Sequence, residues 1–314
     1  MNVLFAAPED AWGGILHRFR TALPDVTFTA GGLNPKSLAG YEVVIPTMSR
    51  IDAGLLQTAD RLQLIQQIGA GLEGVDLEAA KTKGIAVANV PTDVSGNADS
   101  VAEMVIYFML ALMRRTAEHP EQRQRKQLGV PVGRSLMGAT VGIIGFGAIG
   151  QAVSRRLSGF GVRQIAIKRE PDSALASEFG LDWLGSPDEL SALLEESDLV
   201  VLTLPDTEQT HQMFNADRFR QMKPGSYLIN VGRGGLVERE ALQAALTDGH
   251  LAGAALDVFW QEPPDPDDPI FTLNLLTSPH VAGLSDRSVE GIMQGAADNI
   301  QRLMSGEALQ HRRV

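Results

Sequence analysis

The stretch Ala139-Thr-Val-Gly-Ile-Ile-Gly-Phe-Gly-Ala-Ile-Gly150 decides the fold, and a segment with Val153, Leu157 and Phe160 on one helical face follows it. A short β-branched run comes first, then three glycines spaced G-x-G-x-x-G, then the helical pattern. This order predicts a dinucleotide site. The first glycine permits a tight turn, the second lets a pyrophosphate approach the backbone, and the third lets helix and strand pack closely. Free N–H groups at the helix start then meet the phosphate charge.

Length and composition bound the class of protein. At 314 residues the chain exceeds one comfortable core, so we expect two domains. With no cysteine, disulfides, thiolate chemistry and cysteine metal sites are excluded. No metal is expected among the site residues. The net charge of −11 argues against nucleic acid or an anionic membrane as a main partner, although local arginines could still bind a small anion.

No segment indicates export or membrane insertion. Residues Met1–Pro8 lack a basic region and have too short an apolar run for a signal peptide. The longest apolar segment, Met104–Met113, is well short of the roughly 20 residues that a membrane span requires. We therefore expect a cytoplasmic protein with no membrane partner.

Short apolar strands alternate with helical segments through the first hundred residues and again after residue 139. Such alternation predicts an α/β fold in which helices cover parallel sheets. The helix predicted from Asn97 to Arg115 is apolar nearly all round, so it should be buried between domains or between subunits. The polar segment Glu118–Lys126 is interpreted as a connecting arm.

The strand that follows the glycine turn ends in Lys168-Arg169, where an acid usually binds the ribose 2′-hydroxyl of NAD. An acid would repel a 2′-phosphate, whereas two cations attract it and an arginine can grip it with two donors. We therefore expect NADP(H) to be preferred, with NAD(H) possible. The alternative is a solvated basic pair, with Glu170 as the remaining acid.

Glycines and charged residues follow other predicted strands. Gly69-Ala-Gly71 could form a nest of N–H groups for a carboxylate, or a plain strand-to-helix turn. Arg233, Glu262 and His280 follow strands of the second half, where an open parallel sheet presents its ligand crevice. Taken singly, each could be an ordinary surface or loop residue.

Taken together, these pieces match a known pattern. The chain resembles the D-isomer-specific 2-hydroxyacid dehydrogenases over nearly its whole length. The motifs that carry the resemblance are Gly69-Ala-Gly71 with Val75-Asp76, Asn97-Ala-Asp-Ser-Val-Ala-Glu103, Gly145 to Gly150, Pro205 with Thr210, Asn230-Val-Gly-Arg-Gly234, Leu256-Asp-Val-Phe259 with Glu262-Pro263, and Ser278-Pro-His-Val-Ala-Gly283.

The resemblance implies a catalytic set of Arg233, Glu262 and His280. Reduction of a 2-oxo acid needs a proton donor that titrates near neutrality, which is the role implied for His280, with base catalysis in reverse. Glu262 should hydrogen-bond the other ring nitrogen and fix the tautomer. Arg233 should bind the substrate carboxylate and polarise the carbonyl.

The resemblance also implies the binding residues. Substrate should contact Ala70, Gly71, Arg233 and His280. The residues expected to contact the cofactor are Val101, Gly145, Phe146, Gly147, Ala148, Ile149, Gly150, Lys168, Arg169, Leu204, Pro205, Thr210, Val231, Gly232, Arg233, Asp257, His280 and Gly283, with Asp257 near the nicotinamide amide.

The family fold implies a flavodoxin-like substrate domain, residues 1–97 with 286–314, and a Rossmann cofactor domain, residues 98–285. The active site is expected in the cleft, whose closure would exclude water. The long helix and its polar arm match the region through which such enzymes dimerise, so we expect a homodimer.

The expected reaction is reversible reduction of a small 2-oxo acid, of the glyoxylate or hydroxypyruvate type, by NADPH to the D-2-hydroxy acid. The alternatives are an NAD-dependent D-2-hydroxyacid dehydrogenase and a non-catalytic module that senses nicotinamide nucleotides. A third possibility, an enzyme like the related formate and phosphite dehydrogenases, has no strong local signal.

Overall fold

The computed structural model describes residues 1–314 and divides them into two units. Unit 1 comprises Met1–Asn97 and Leu284–Val314, and unit 2 comprises Ala98–Gly283. Each unit has its own parallel sheet with hydrophobic side chains packed on both faces. The predicted fold class, two α/β domains with parallel sheets, is thereby confirmed.

Unit 1 contains a five-stranded parallel sheet in the order β2-β1-β3-β4-β5. The apolar runs of its strands, such as Val43–Ile45, are buried on both faces because helices cover the sheet. The elements in chain order are β1 (Asn2–Phe5), α1 (Ala11–Ala22), β2 (Thr27–Ala30), β3 (Val43–Ile45), α2 (Ala53–Leu56), β4 (Leu64–Gln66), α3 (Leu77–Thr82) and β5 (Ala86–Ala88).

Unit 2 contains a seven-stranded parallel sheet in the order β12-β11-β10-β9-β6-β7-β8. Its elements are α4 (Asn97–Met113), α5 (His119–Gln124), β6 (Thr140–Ile144), α6 (Ala148–Leu157), β7 (Arg163–Ile167), α7 (Ser173–Glu178), β8 (Trp183–Gly185), α8 (Leu190–Glu196), β9 (Leu199–Leu202), α9 (Ala216–Gln221), β10 (Ser226–Asn230), α10 (Arg239–Thr247), β11 (Leu251–Leu256) and β12 (Leu275–Thr277). The chain then returns to unit 1 through α11 (Asp286–Ser305).

The strand order of unit 2 reverses beside β6. From β6 the chain continues outward through β7 and β8, and it then crosses to β9 on the other side. All neighbours in the sheet are parallel, so the loops that follow the strands meet at one edge. Ligands of open α/β sheets bind at this carboxyl edge, beside the point of reversal.

The structure differs from the sequence interpretation in several short elements. Helix α1 is regular only from Ile15, because Trp12, Gly13 and Gly14 have left-handed backbone angles. The segment interpreted as an arm includes α5, and α7 was not predicted. Neither helix has a buried residue, so neither has an apolar period. The edge strand β8 was also missed, since its first two residues are only half-buried.

No helix combines the length and the apolar composition needed to cross a bilayer. The most apolar helix, α4, buries Val105, Phe108 and Met109 in the larger core of unit 2. Its apolar composition is therefore explained largely by packing within the unit.

Candidate active site

The glycine turn after β6 has the geometry that the motif predicts. Gly145 has φ +102°, a backbone conformation that side chains disfavour. A Cβ on Gly147 would meet nothing within 4 Å, so open space lies beside this backbone. A Cβ on Gly150 would lie 2.3 Å from the Gly145 carbonyl oxygen, so only glycine permits the close approach of α6 to the turn. The cradle therefore fits a pyrophosphate group.

The N-terminus of α6 leaves backbone donors at this cradle. Gly147 is the N-cap residue in an extended conformation, and no side chain caps the helix. The first N–H groups, including those of Ala148 and Ile149, have no intrahelical acceptor and lie at the positive end of the helix dipole. Phe146 instead is buried and packs edge-to-face on Phe179. The turn thus presents N–H groups, while its aromatic side chain anchors it to the core.

Lys168 and Arg169 follow β7, the neighbour of β6 at the same edge. The Lys168 N–H donates to the Gly185 carbonyl oxygen at 2.9 Å, which fixes the backbone here. Lys168 is half-buried, Arg169 is exposed, and neither makes an ion pair within the chain. Two uncompensated positive charges therefore stand where the cofactor ribose is expected.

The loop after β9 carries Leu204, Pro205 and Thr210. The Thr210 hydroxyl donates to the Pro205 carbonyl oxygen at 2.7 Å and accepts from the Thr207 N–H at 2.8 Å. This hydroxyl therefore closes the loop upon itself. A Cβ on Gly232, after β10, would lie 2.6 Å from the Leu204 carbonyl oxygen, so the two loops pack backbone to backbone.

The side chain of Asn230 holds the turn that presents Arg233. Its Nδ2 donates to the Arg233 carbonyl oxygen at 2.8 Å, and its Oδ1 accepts from the Gly232 N–H at 3.0 Å. Asn230 is 1% exposed, so these bonds lie away from solvent. Val231 is buried beside it, and Arg233 itself is half-buried. The arginine thus has a rigid backbone at the carboxyl edge.

His280 and Glu262 are in direct contact. Glu262 Oε2 lies 2.7 Å from His280 Nδ1, and Glu262 Oε1 accepts from the Phe259 N–H at 3.0 Å. Burial raises the pKa of Glu262, but the hydrogen bond and charge of His280, the Phe259 N–H and the charge of Arg233 together lower it below its ordinary value of 4.5. The carboxylate is therefore ionised at neutral pH and accepts at Nδ1. Nε2 is the ring nitrogen that does not contact Glu262.

Asp257 supports the loop that carries His280. Its carboxylate accepts from the Ser278 hydroxyl at 2.5 Å and from the N–H groups of Val281 and Ala282 at 2.9 and 3.0 Å. Its own carbonyl oxygen accepts from the His280 N–H at 2.8 Å. His280 has φ 55°, which is unfavourable for this residue type, and these bonds hold it there.

The environment of Asp257 differs from that of Glu262. Asp257 is 2% exposed, and burial raises its pKa above the ordinary 3.8 despite the hydrogen bonds from Ser278, Ala282 and Val281 and the charge of His280. The resemblance assigns this residue to the nicotinamide amide, whereas its contacts within the chain are with the histidine loop.

The remaining predicted site residues are spread over both units. Val101 is 5% exposed on α4 and packs in the core of unit 2, and Gly283 is the last residue of that unit. Ala70 and Gly71 belong to unit 1, in the loop after β4. Their N–H groups have no acceptor within the chain, while the Ala70 carbonyl oxygen accepts from Asn89 Nδ2 at 2.7 Å.

Supporting residues were missed by sequence reasoning. Ser278 and Asn230 lie inside quoted motifs, and an asparagine directly after a strand is a recognisable signal for a side chain that bonds a turn. Asn89 also follows a strand. No group of three or more histidine and acidic side chains is placed to hold a metal ion.

Comparisons with known families and proteins agree with the motifs of the sequence. The family described as "D-isomer specific 2-hydroxyacid dehydrogenase, NAD binding domain" matches residues 106–282. A glyoxylate reductase from Thermococcus onnurineus is 37% identical over 268 residues, covering 82% of this chain and 78% of that protein. Glyoxylate/hydroxypyruvate reductase B from Yersinia pestis is 34% identical over 277 residues, covering 86% and 83%.

A solved structure is also similar over nearly the whole chain. D-lactate dehydrogenase from Aquifex aeolicus, complexed with NAD and lactic acid, is 27% identical with a TM-score of 0.84, covering 98% of this chain and 96% of that one. With the glycine cradle, these matches make the protein an NAD(P)-dependent oxidoreductase that binds a nicotinamide cofactor. More closely, the chain belongs to the D-isomer-specific 2-hydroxyacid dehydrogenase family, as its motifs suggest.

Proposed function

We propose that the protein reversibly reduces a small 2-oxo acid, of the glyoxylate or hydroxypyruvate type, to the D-2-hydroxy acid, with NADPH as the preferred reductant. The observation that carries the proposal is the His280–Glu262 hydrogen bond of 2.7 Å, at the sheet edge that also bears Arg233 and the glycine cradle. Similarity to proteins named glyoxylate reductase supports the substrate class. In this proposal unit 2 is the cofactor domain and unit 1 the substrate domain.

His280 transfers the proton in the proposed reaction. The reduced nicotinamide, when bound, supplies hydride to the carbonyl carbon. The carbonyl oxygen gains negative charge and takes a proton from Nε2, while Nδ1 donates to the ionised Glu262. The carboxylate stabilises the imidazolium before transfer and keeps the ring in one orientation. In the reverse direction Nε2 accepts the hydroxyl proton.

Arg233 and the Ala70–Gly71 loop bind the substrate anion in this proposal. The guanidinium has a planar set of donors suited to a carboxylate and an adjacent carbonyl oxygen, and its charge stabilises the developing oxyanion. The N–H groups of Ala70 and Gly71 have no acceptor within their unit, which is the state expected of an anion nest.

The preference for NADPH is supported by Lys168 and Arg169. Neither cation has an acidic partner in the chain, so both are available to a 2′-phosphate. Glu170 is exposed directly beside them and is the adjacent acid that could serve a ribose hydroxyl. Because a phosphate carries more charge than a hydroxyl, the pair favours NADPH electrostatically.

A homodimer is also proposed. Leu128, Val132 and Met137 lie between the arm and β6 and are 95%, 80% and 72% exposed, and Tyr107 on α4 is 58% exposed. A second copy would remove these apolar side chains from water. Sedimentation velocity should give a dimer for the wild type and a monomer for a Leu128→Glu, Val132→Glu variant. Met304→Glu, which changes an exposed side chain in unit 1, is the control.

The reaction is tested by mixing the protein with NADPH or NADH and a panel of 2-oxo acids that includes glyoxylate, hydroxypyruvate and pyruvate. The loss of nicotinamide absorbance measures turnover. We expect the highest kcat/KM with NADPH and a two- or three-carbon acid. Tight NADPH binding without turnover across the panel would instead favour a nucleotide-sensing module, and a preference for NADH would favour an NAD-dependent dehydrogenase.

A further inference from the structure

Asn89 connects the Ala70–Gly71 loop to the C-terminal segment of the chain. It follows β5, is 4% exposed, and donates from Nδ2 to the Ala70 carbonyl oxygen at 2.7 Å. Its Oδ1 accepts from Arg313 Nε at 2.9 Å, across 224 positions of sequence. Both ends of the amide are therefore engaged, and the donor end must face the loop because Arg313 can only donate.

Backbone pairing fixes the position of Arg313. The Arg313 N–H donates to the Val87 carbonyl oxygen at 2.7 Å, and Arg312 forms an antiparallel bridge with Ala88. The C-terminal residues thus extend the sheet of unit 1 beyond β5. Val314 packs partly buried against the core beneath, so the segment is held by apolar contact as well.

A second buried amide ties the same segment to the sheet. Asn299 on α11 is 1% exposed and donates to Gln66 Oε1 at 2.8 Å and to the Gln310 carbonyl oxygen at 3.0 Å. Its Oδ1 accepts from the Gln310 N–H at 2.8 Å. The segment that carries Arg313 is therefore anchored immediately before its pairing with β5.

The bond to the Ala70 carbonyl oxygen also sets the orientation of the peptide between Ala70 and Gly71. In a trans peptide the C=O and the following N–H point in opposite directions. Because the Ala70 carbonyl oxygen is bonded to Asn89, the Gly71 N–H points away from Asn89. Without that bond the peptide of this glycine-flanked, exposed loop could rotate and present its carbonyl oxygen instead.

We propose that Asn89, oriented by Arg313, is a positioning residue that keeps the Gly71 N–H aimed at the substrate carboxylate. The identity of the bound group rests on the proposed function. The contact itself does not, since it lies wholly within unit 1. Carboxylate binding of this kind acts equally on substrate and transition state, so its loss raises KM more than it lowers kcat.

Asn89→Asp is the most informative variant, because it keeps the shape and the acceptor for Arg313 but replaces the donor with an oxygen facing the Ala70 carbonyl oxygen. We expect the KM for glyoxylate to rise about tenfold and kcat to fall less than about threefold. The backbone amide NMR signals of Ala70 and Gly71 should shift as the freed peptide changes orientation, whereas amide hydrogen exchange in β5 and NADPH affinity should be unchanged. Arg313→Ala should show the same pattern more weakly, and Arg313→Lys should partly restore it.

Arg312→Ala is the matched control, because its exposed side chain bonds only the Val314 carbonyl oxygen while its backbone pairing is retained. Unchanged KM and unchanged amide signals of Ala70 and Gly71 in Asn89→Asp would overturn the inference. An equal loss of kcat with faster exchange throughout β5 would also overturn it, since that indicates general loosening. If the wild type turned over no 2-oxo acid, the proposed function would fail, and the amide signals of Ala70 and Gly71 would still decide whether Asn89 orients this peptide.

Discussion

The carboxyl edges of the two sheets differ in what they bury. Asp257 in unit 2 is the only acidic or basic side chain among the buried residues, and it supports the loop of His280, whose partner Glu262 is ionised. The buried polar side chains of unit 1 are all uncharged amides and hydroxyls, with Gln66, Gln67 and Asn89 at the ends of β4 and β5.

The buried carboxylate of one edge and the buried amides of the other suit different tasks. Burying charge is costly unless it is paired, so a charged cluster is expected where a reaction needs it. Buried amides cost less and, when fully bonded, hold loops rigid. In the proposed function, unit 2 supplies the groups for proton transfer and unit 1 supplies preorganised backbone donors.

The largest effect is expected from His280→Ala. Loss of the proton donor should lower kcat by about 10³-fold, within the range typical of general acid catalysis. Glu262→Gln keeps the shape but removes the charge opposite Nδ1, so kcat should fall less, by about tenfold to a hundredfold. Steady-state kinetics measure both, with NADPH binding as a check on folding. A near-normal rate for His280→Ala would contradict the proposed role of His280 in proton transfer.

Arg233→Lys is expected to be the next most damaging change. Lysine keeps the charge but loses the planar pair of donors, so kcat/KM should fall about a hundredfold, with kcat and KM both affected. By contrast, Asn89→Asp at the amide edge should change mainly KM. The same glyoxylate titrations distinguish the two patterns, and a pure KM effect in Arg233→Lys would contradict the role in oxyanion stabilisation.

Lys168→Ser with Arg169→Ser should alter cofactor choice without changing the chemistry. The variant loses both cations expected at the 2′-phosphate, so its KM for NADPH should rise about tenfold or more while that for NADH stays nearly constant. NADH serves as the internal control, and kcat should hold with both. An equal loss for the two cofactors would contradict the 2′-phosphate assignment.

The smallest expected effects concern the folding stability of unit 2, to which Glu262 and Asp257 should give opposite pH dependences. The lowered pKa of Glu262 adds stability at pH values above its ordinary 4.5, and this is lost as the pH falls through the lowered pKa. The raised pKa of Asp257 costs stability above that pKa, and the cost disappears as the pH falls below its ordinary 3.8.

The wild type should therefore exceed Glu262→Gln in free energy of unfolding by less at low pH than at neutral pH. For Asp257→Asn the difference in free energy of unfolding should instead grow as the pH falls. Urea midpoints followed by tryptophan fluorescence between about pH 3 and pH 7 measure both differences. Trp183 and Trp260 report on unit 2, and Trp12 reports on unit 1. If the two stability differences changed with pH in the same direction, the pKa shifts of Glu262 and Asp257 would not be opposite in the folded protein.

Much of the fold could be predicted because its strands are short apolar runs with clear boundaries. The glycine turn and the two parallel sheets were predicted from such local patterns, and the family from its resemblance in several motifs; structural and sequence comparisons confirm the fold class and the family. The errors fall on exposed or edge elements, such as α7 and β8, where burial imposes no period on the sequence. The roles of the predicted site residues remain proposals.

The sequence by itself determined the fold class, the pyrophosphate cradle and the types of side chain at the carboxyl edge, because these depend on local spacing and chemistry. Only the tertiary structure decided that Asp257 supports the histidine loop and that Asn89 joins Ala70 to Arg313. Those bonds join residues 24, 19 and 224 positions apart. No local propensity encodes such a contact, since it exists only once parallel strands bring distant loops to one edge of a sheet.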